Sequence, residues 1–226
     1  WRFGLQMGFG FGFDPGRQGY RMTRPGVAGG GSVAVNAWVD DNGDGLRQAD
    51  ETGVLGLVID TPAGATTTDP GGRAYAAGLG DVPSAQIRLN AEAIEDPFLI
   101  GGPGAFRIVP RPGRASQIDY PMQRSAEVQV QAMLVQREGG ARSIAALAIE
   151  LVPRRGGPAV AGRSDHAGVI FFERLRPGLY DLRLDPDQAR ALSVVLISPV
   201  QVIVPAAGGF VDAGAFSVRI AGEASQ

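Results

Sequence analysis

The sequence predicts an all-β protein of two tandem units preceded by one barrel-like strand. Three observations carry that reading. Apolar and β-branched residues alternate in short runs separated by turns, the period of half-buried strands. Gly and Pro number 34 and 16 of 226 residues while only 19% of residues are charged, a balance that favours strands and turns over helices. One strand–turn–strand pattern also occurs twice, the mark of a tandem module. At this length the chain holds two units of roughly 100 residues each.

Residues 1–13 alternate without a slip. Trp1, Phe3, Leu5, Met7, Phe9, Phe11 and Phe13 take one face, and Arg2, Gln6 and glycines take the other. Large apolar groups on one side and small or polar ones on the other suit a strand with lipid outside and a lumen inside, and roughly 9–11 tilted residues cross a bilayer. The alternative is an amphipathic strand covering a soluble core. Starting in mid-pattern, the chain is expected to be the tail of something longer. Asp14-Pro15-Gly16-Arg17 reads as a turn, Tyr20–Thr23 as a partial strand, and Pro25–Gly31 as a flexible linker. Residues 1–31 thus form a strand and linker, 32–124 the first unit and 125–226 the second.

The first unit opens with a strand at Ser32–Val39, in which Trp38 is expected to pack in the core. Residues 40–51 then read Asp-Asp-Asn-Gly-Asp-Gly-Leu-Arg-Gln-Ala-Asp-Glu, a twelve-position calcium loop. Hard oxygen ligands fall at positions 1, 3, 5 and 12 as Asp40, Asn42, Asp44 and Glu51. Gly45 takes the sharp turn at position 6, and Leu46 offers its backbone carbonyl at position 7. So many carboxylates in one turn repel one another unless a cation neutralises them. An EF-hand needs a helix on each side, but the entering and leaving runs, Ser32–Val39 and Gly53–Asp60, both read as strands. This is a calcium loop on a β scaffold. Further strands are expected at Val54–Asp60, Ala65–Thr68, Arg73–Ala77, Ala85–Leu89, Phe106–Val109 and Gln117–Tyr120.

In the second unit Ala126–Val135 alternates well, with Val128, Val130, Ala132 and Leu134 on one side. Ser143–Val152 would suit a buried helix or a strand, and its turn-rich flanks favour the strand. Val169–Arg174, Tyr180–Leu184, Ser193–Ile197, Gln201–Val204 and Ala215–Ile220 follow. Asp185–Ala191 is the one good helical turn, with an Asp cap and Pro at its first position. Across both units the core is expected to include Val33, Val35, Val58, Ile87, Leu89, Val128, Val130, Leu151, Phe172, Tyr180 and Leu182. The repeat joins the halves: Thr68-Asp69-Pro70-Gly71-Gly72 through Leu79 in one, and Ser164-Asp165-His166-Ala167-Gly168 through Leu175 in the other. In each the Asp can cap its own turn, and glycine supplies the unusual dihedral.

Composition excludes several functions. A formal charge of −2 gives no electrostatic footprint for nucleic acid. Cys is absent, so disulfides and thiolate metal sites are impossible. Every base except His166 is Arg, which removes Schiff-base and Walker-type lysine chemistry. His166 stands alone in a turn without a nucleophile or second histidine, so no catalytic residue and no enzyme activity are assigned. Gly26–Gly31 lacks the strand-to-helix context of a phosphate loop. Arg154-Arg155 and the pair Arg174 and Arg176 read as solvated faces.

These motifs resemble two prealbumin-like (transthyretin-like) modules of the carboxypeptidase-regulatory and collagen-adhesin B type, which implies two antiparallel β-sandwiches. The first, from Val39-Asp40-x-Asn42-x-Asp44-Gly45 to Glu51-Thr52-Gly53-Val54-x-Gly56, is similar to the calcium-binding B repeats of SD-repeat surface adhesins. The second resembles the sandwich without metal, through Asp165-x-x-Gly168-x-x-x-Phe172 and Leu175-x-Pro177-Gly178-x-Tyr180. Two departures count. Loop position 9 is Gln48 where the adhesin pattern has Asp, so either Gln48 bridges through water or Asp50 swings in. Some relatives weld their strands with a lysine isopeptide bond, which this lysine-free chain cannot form, leaving calcium as the candidate staple. The order of strand, linker, calcium module and plain module resembles the C-terminal end of an outer-membrane usher-like protein of fimbrial assembly. That resemblance implies non-enzymatic modules at the outer membrane or cell surface, with pilus or secreted subunits as protein partners and no small-molecule substrate. The alternative is the stalk of a cell-surface adhesin.

Overall fold

A computed structural model describes residues 10–14, 18–23, 30–137 and 139–222. The chain divides into two compact units, Trp1–Met122 and Gln123–Gln226. Strands dominate both, as expected, and the only helix among the described residues has seven residues. The first nine residues of the expected barrel strand, the Pro15–Arg17 turn and most of the glycine linker lie outside the described residues. The end of that strand pairs with its neighbour: β1 (Gly10–Asp14) and β2 (Gly19–Thr23) form a two-stranded antiparallel sheet.

The first unit stacks two four-stranded sheets. One contains β3 (Ser32–Val39), β6 (Arg73–Ala77), β8 (Leu99–Ile100) and β10 (Ala115–Arg124), in the order β6-β3-β10-β8. The other contains β4 (Val58–Thr61), β5 (Gly64–Thr67), β7 (Ala85–Asn90) and β9 (Ala105–Ile108), in the order β5-β4-β7-β9. Strict alternation on β3 and β7 sends Val33, Val35, Ala37, Val39, Ala85, Ile87 and Leu89 into the core. Burying a large aliphatic side chain there contributes about 1.5–3 kcal/mol.

The second unit repeats that topology. Its first sheet holds β11 (Ala126–Val135), β15 (Val169–Leu175), β17 (Val194–Leu196) and β19 (Gly209–Ile220), with β12 (Ala141–Ser143) beside the far half of β11. Its second sheet runs β14 (Val160–Arg163), β13 (Ala148–Pro153), β16 (Gly178–Leu184), β18 (Val200–Val204). Helix α1 (Pro186–Leu192) follows β16, capped as expected by Asp185, whose carboxylate accepts from the Gln188 N–H at 2.8 Å.

Three expectations need correction. Not every pairing is antiparallel: β3 with β10 and β11 with β19 are parallel. Each is the first strand of a unit beside its last, and a parallel neighbour leaves the same in–out alternation as an antiparallel one. Val54–Asp60 is not one strand, because a turn at Leu55-Gly56 interrupts it; Leu57 and Ile59 then face the core and Val58 is only half-buried. Ser143–Val152 breaks likewise at Ala145-Ala146, between β12 and β13. Trp38 is buried as expected, at 1% exposure, on the face of β3 opposite Val33, Val35 and Val39.

The repeat extends to individual hydrogen bonds. Thr68 Oγ1 accepts from the Leu57 N–H (2.9 Å) and donates to the Val54 carbonyl (2.6 Å). Ser164 Oγ accepts from the Leu147 N–H (2.9 Å) and donates to the Ile144 carbonyl (2.7 Å). Asp69 Oδ1 caps its turn by accepting from the Gly71 and Arg73 N–H groups, and Asp165 Oδ1 does so from Ala167 and Val169. Gly72 sits at φ +74° with its backbone pressed onto Ala37; a Cβ there would lie 1.9 Å from the Ala37 carbonyl oxygen. The left-handed turn residue before Leu57 is Gly56 (φ +85°), whereas its counterpart before Leu147 is Ala146 (φ +58°). An L-residue with a Cβ in that region costs about 1–2 kcal/mol.

Two substitutions test this frame by urea denaturation. Gly72→Ala removes the unfolding transition of the first unit, since no side chain can yield to a backbone clash. Ala146→Gly stabilises the second unit by about 0.5–1 kcal/mol, the relieved strain exceeding the added chain entropy. A variant at 146 no more stable than the parent would show that the turn is unstrained.

Candidate metal centre

The acid-rich loop occupies a defined place in the repeated frame. In the first unit residues 39–52 connect Trp38 to Gly53, which form an antiparallel bridge. In the second unit the equivalent bridge is Met133 with Ser143, and the shorter segment 134–142 closes as a plain hairpin through the Gln136–Gly140 turn. The calcium-type loop is therefore a longer version of one hairpin connection, entered from a strand as the sequence implies.

Its first and last ligand positions are anchored. Asp40 is buried, and its N–H donates to the Met122 carbonyl at 2.7 Å. Asp40 Oδ1 accepts from the Gly43 (2.8 Å) and Asp44 (3.1 Å) N–H groups, and Oδ2 from Gly45 (3.1 Å). Glu51 is also buried, with Oε1 accepting from the Asp41 N–H (3.2 Å) and Oε2 from Gln48 (2.8 Å). Gly45 takes φ +74°, the left-handed turn expected at the sixth position, and Gly43 at the fourth position takes the same φ. Arg47 faces away from these acids, donating to Asn36 Oδ1 and to the Gly71 carbonyl (3.0 Å).

The remaining expected ligands lie at the exposed apex. Asp44 Oδ1 accepts from the Leu46 N–H (2.7 Å), while Asp44 Oδ2 accepts from the side-chain amides of Asn42 (3.2 Å) and Gln48 (2.8 Å). Asn42, Asp44, Leu46 and Asp50 are all exposed, and Gln48 is half-buried. Among the described residues no three acidic, His or Cys side chains converge as a metal-binding group, because the buried carboxylates point at backbone N–H groups.

The donor chemistry nevertheless fits a hard cation. Every candidate ligand is an oxygen, the preference of calcium. Gln48 Oε1 is buried without a hydrogen-bond partner, although its amide nitrogen is engaged by Asp44. A buried acceptor left unmet costs about 1–3 kcal/mol. The two amides now crowd Asp44 with N–H groups; turning them over presents their oxygens beside that carboxylate, an arrangement that a cation stabilises. Of the two alternatives at position 9, the orphaned oxygen belongs to Gln48.

Other expected residues fall elsewhere. His166 is exposed in its turn. Arg154 pairs with Asp181 at 2.9 Å. Arg155, Arg174 and Arg176 are exposed, as the solvated-face reading expects, and all three line one cavity of the second unit. Their separation in the chain hides that convergence. The buried Thr68 and Ser164 hydroxyls also escape sequence reasoning, although both stand before the Asp of the repeated turn.

No protein-family model matches the chain. No curated protein matches it either. Among solved structures it is similar to the Bacillus anthracis TIE protein, at 12% identity over 89% of this chain and 36% of that one, with a TM-score of 0.36. It spans about a third of that protein's chain. It is also similar to the minor pilin of Streptococcus agalactiae (12% identity, 83% of this chain and 95% of that one, TM-score 0.42) and to the shaft pilin of Lactobacillus rhamnosus (9%, 85% and 98%, 0.34). These likenesses are weak, and the fold and the loop stand on the chain's own residues.

One expectation does not involve metal. Asp40→Ala removes the acceptor of three N–H groups and lowers the stability of the first unit by about 1–3 kcal/mol in chelator. Asp50→Ala, at an exposed position, stays within about 0.5 kcal/mol of the parent. Equal effects of the two, measured by denaturant unfolding, would contradict the anchoring role of Asp40.

Proposed function

We propose that the chain is a pair of non-enzymatic β-sandwich spacer modules of a cell-surface protein, the first stiffened by calcium in the 40–51 loop. The observation that carries this reading is the substitution of a twelve-position oxygen-rich loop for the plain hairpin of the sister unit. Asp40, Asn42, Asp44, Gln48 and Glu51 would hold the ion with the Leu46 carbonyl. The ion would supply positive charge to a turn crowded with carboxylates. Extracellular calcium modules bind at about 10⁻⁴–10⁻³ M, which suits a site built largely on an exposed loop. Pilus or secreted subunits are the protein partners such spacers would meet.

Thermal unfolding tests the calcium reading. At calcium a hundred times above its dissociation constant the first unit gains about 2.7 kcal/mol. Asp44→Ala, whose side chain makes only local loop contacts, abolishes that gain while leaving the melt in chelator near the parent's. Identical parent melts in calcium and chelator would remove the calcium function.

A second reading, the C-terminal end of an outer-membrane usher-like protein, is favoured by the hairpin. Phe11 stands opposite Met22 and Phe13 opposite Tyr20, so the apolar face of the alternating strand continues onto its neighbour. Those four side chains are 59%, 69%, 45% and 77% exposed respectively. No helix among the described residues is long and apolar enough to cross a membrane, which says nothing of crossing by strands. Under this reading the full chain aggregates or needs detergent, and deleting residues 1–24 yields a soluble monomer that keeps the calcium response. A full chain already monomeric in plain buffer favours the spacer reading. Loss of folding on deletion would assign the hairpin to the core of the first unit.

A further inference from the structure

Asn42 and Gly43 form the only Asn-Gly pair in the sequence, at the third and fourth positions of the oxygen-rich loop. In such a pair the backbone nitrogen of the second residue can attack the side-chain amide carbon of the first and close a succinimide ring. The two reacting groups are tethered, so no encounter between separate molecules is needed. Glycine makes closure easiest, because it has no Cβ to crowd the ring. Asn42 is exposed at the apex of its loop. Asn90 is also exposed, but Ala91 follows it, and Asn36 is half-buried within β3 ahead of Ala37.

The loop holds the reacting atoms of that pair. The Gly43 N–H donates to Asp40 Oδ1 at 2.8 Å, a charge-assisted bond that draws the hydrogen away and leaves the nitrogen richer in electrons. Asp40 is 4% exposed and also accepts from the Gly45 N–H at 3.1 Å, so this acceptor is fixed. Asn42 Oδ1 accepts from the Asp44 N–H at 2.8 Å. Negative charge develops on that oxygen when the amide carbon is attacked, and a donor already in place stabilises it. Asn90 shares this second feature, with Oδ1 accepting from the Glu92 N–H at 2.8 Å, and so provides a comparison within the same chain.

We propose that Asn42-Gly43 is a self-modification site at which the folded loop converts its own side-chain amide to a carboxylate. The Gly43 nitrogen bonds to the Asn42 amide carbon and gives up its proton to hydroxide. The bond from that carbon to Nδ2 then breaks, and the amide nitrogen takes a proton from water and leaves as ammonia. Water next opens the ring: its oxygen bonds to one imide carbonyl carbon, the bond from that carbon to the Gly43 nitrogen breaks, and the nitrogen regains a proton. Opening at the side-chain carbonyl leaves aspartate at position 42. Opening at the main-chain carbonyl leaves isoaspartate, with one more carbon in the backbone. Either product carries one negative charge more than the parent's formal −2. The chemistry needs no metal and stands apart from the calcium reading. Its consequence rests on that reading: aspartate adds a hard ligand at loop position 3, whereas isoaspartate moves the Gly43 and Asp44 N–H groups off Asp40.

Ageing the full chain in chelator at mildly alkaline pH, in plain buffer and in unfolding urea side by side, tests the proposal by peptide mass spectrometry. In the folded chain Asn42 gains the mass of an amide-to-acid exchange and separates into aspartate and isoaspartate forms, while Asn36 and Asn90 keep their amides. Conversion is faster in the folded chain than in urea, where Asp40 and Asp44 no longer hold the reacting atoms. Gly43→Ala slows it by about tenfold or more, as a methyl group crowds the ring. The comparison with urea uses the parent alone, so it decides the matter whether or not that variant folds. An Asn42 amide that persists, conversion no faster in the folded chain than in urea, or equal conversion at Asn90 would overturn the proposal.

Discussion

In each sandwich the chain leaves one sheet for the other through a short segment in which one carbonyl and one N–H are met by a buried side-chain hydroxyl rather than by a neighbouring strand. Thr68 does this for Val54 and Leu57, and Ser164 for Ile144 and Leu147. A hydroxyl can accept and donate at once, so one small side chain meets an orphan N–H and an orphan carbonyl. The alternative is two buried polar groups left unmet, at about 1–3 kcal/mol each. The following Asp closes the turn, and the glycine three residues beyond it lets the strand behind press onto the first strand. Leu57 and Leu147, each essentially fully buried, are held in their cores by this arrangement.

Because the frame is fixed by so few groups, the two units diverge wherever those groups are not involved. The hairpin after the first strand is a short turn in one unit and an oxygen-rich loop in the other. The residues after the β7 strand are irregular in the first unit, where those after β16 form α1. That helix is tied down by Gln188, whose side chain accepts from the Ala148 N–H and donates to the Ala146 carbonyl. The glycines flanking Leu79 become arginines flanking Leu175. Each difference adds charged or polar groups outside the two clusters of buried apolar residues.

Much of this is legible in the chain. Alternation bounds Ala126–Val135 correctly, the Asp69–Gly72 turn does so for Arg73–Ala77, and the Asp185-Pro186 cap locates the helix. The repeated Ser/Thr-Asp turn reveals the duplication from residues alone. The features that escape have physical reasons. The parallel partnership of first and last strands leaves no local trace, because its partners lie some eighty residues apart and share the ordinary two-residue period. Val58 reads as core because the turn at Leu55-Gly56 sits inside an apolar run and resets the period by one residue. The loop's oxygen-bearing side chains are visible as a motif, but not that Asp40 and Glu51 are buried while Asn42 and Asp44 stand in solvent. The arginine cavity is invisible because its members come from two separate loops.

Two copies of one frame are expected to differ in cation chemistry at a single connection. An amide proton–nitrogen NMR titration of the full chain with calcium examines both halves of that claim at once. Saturable shifts at one equivalent of bound ion, confined to the amides of residues 40–51 and their immediate neighbours and absent from the second unit, are the result predicted. No saturable change up to about 10 mM calcium, well above the range of extracellular modules, or shifts spread equally over both units, would contradict it.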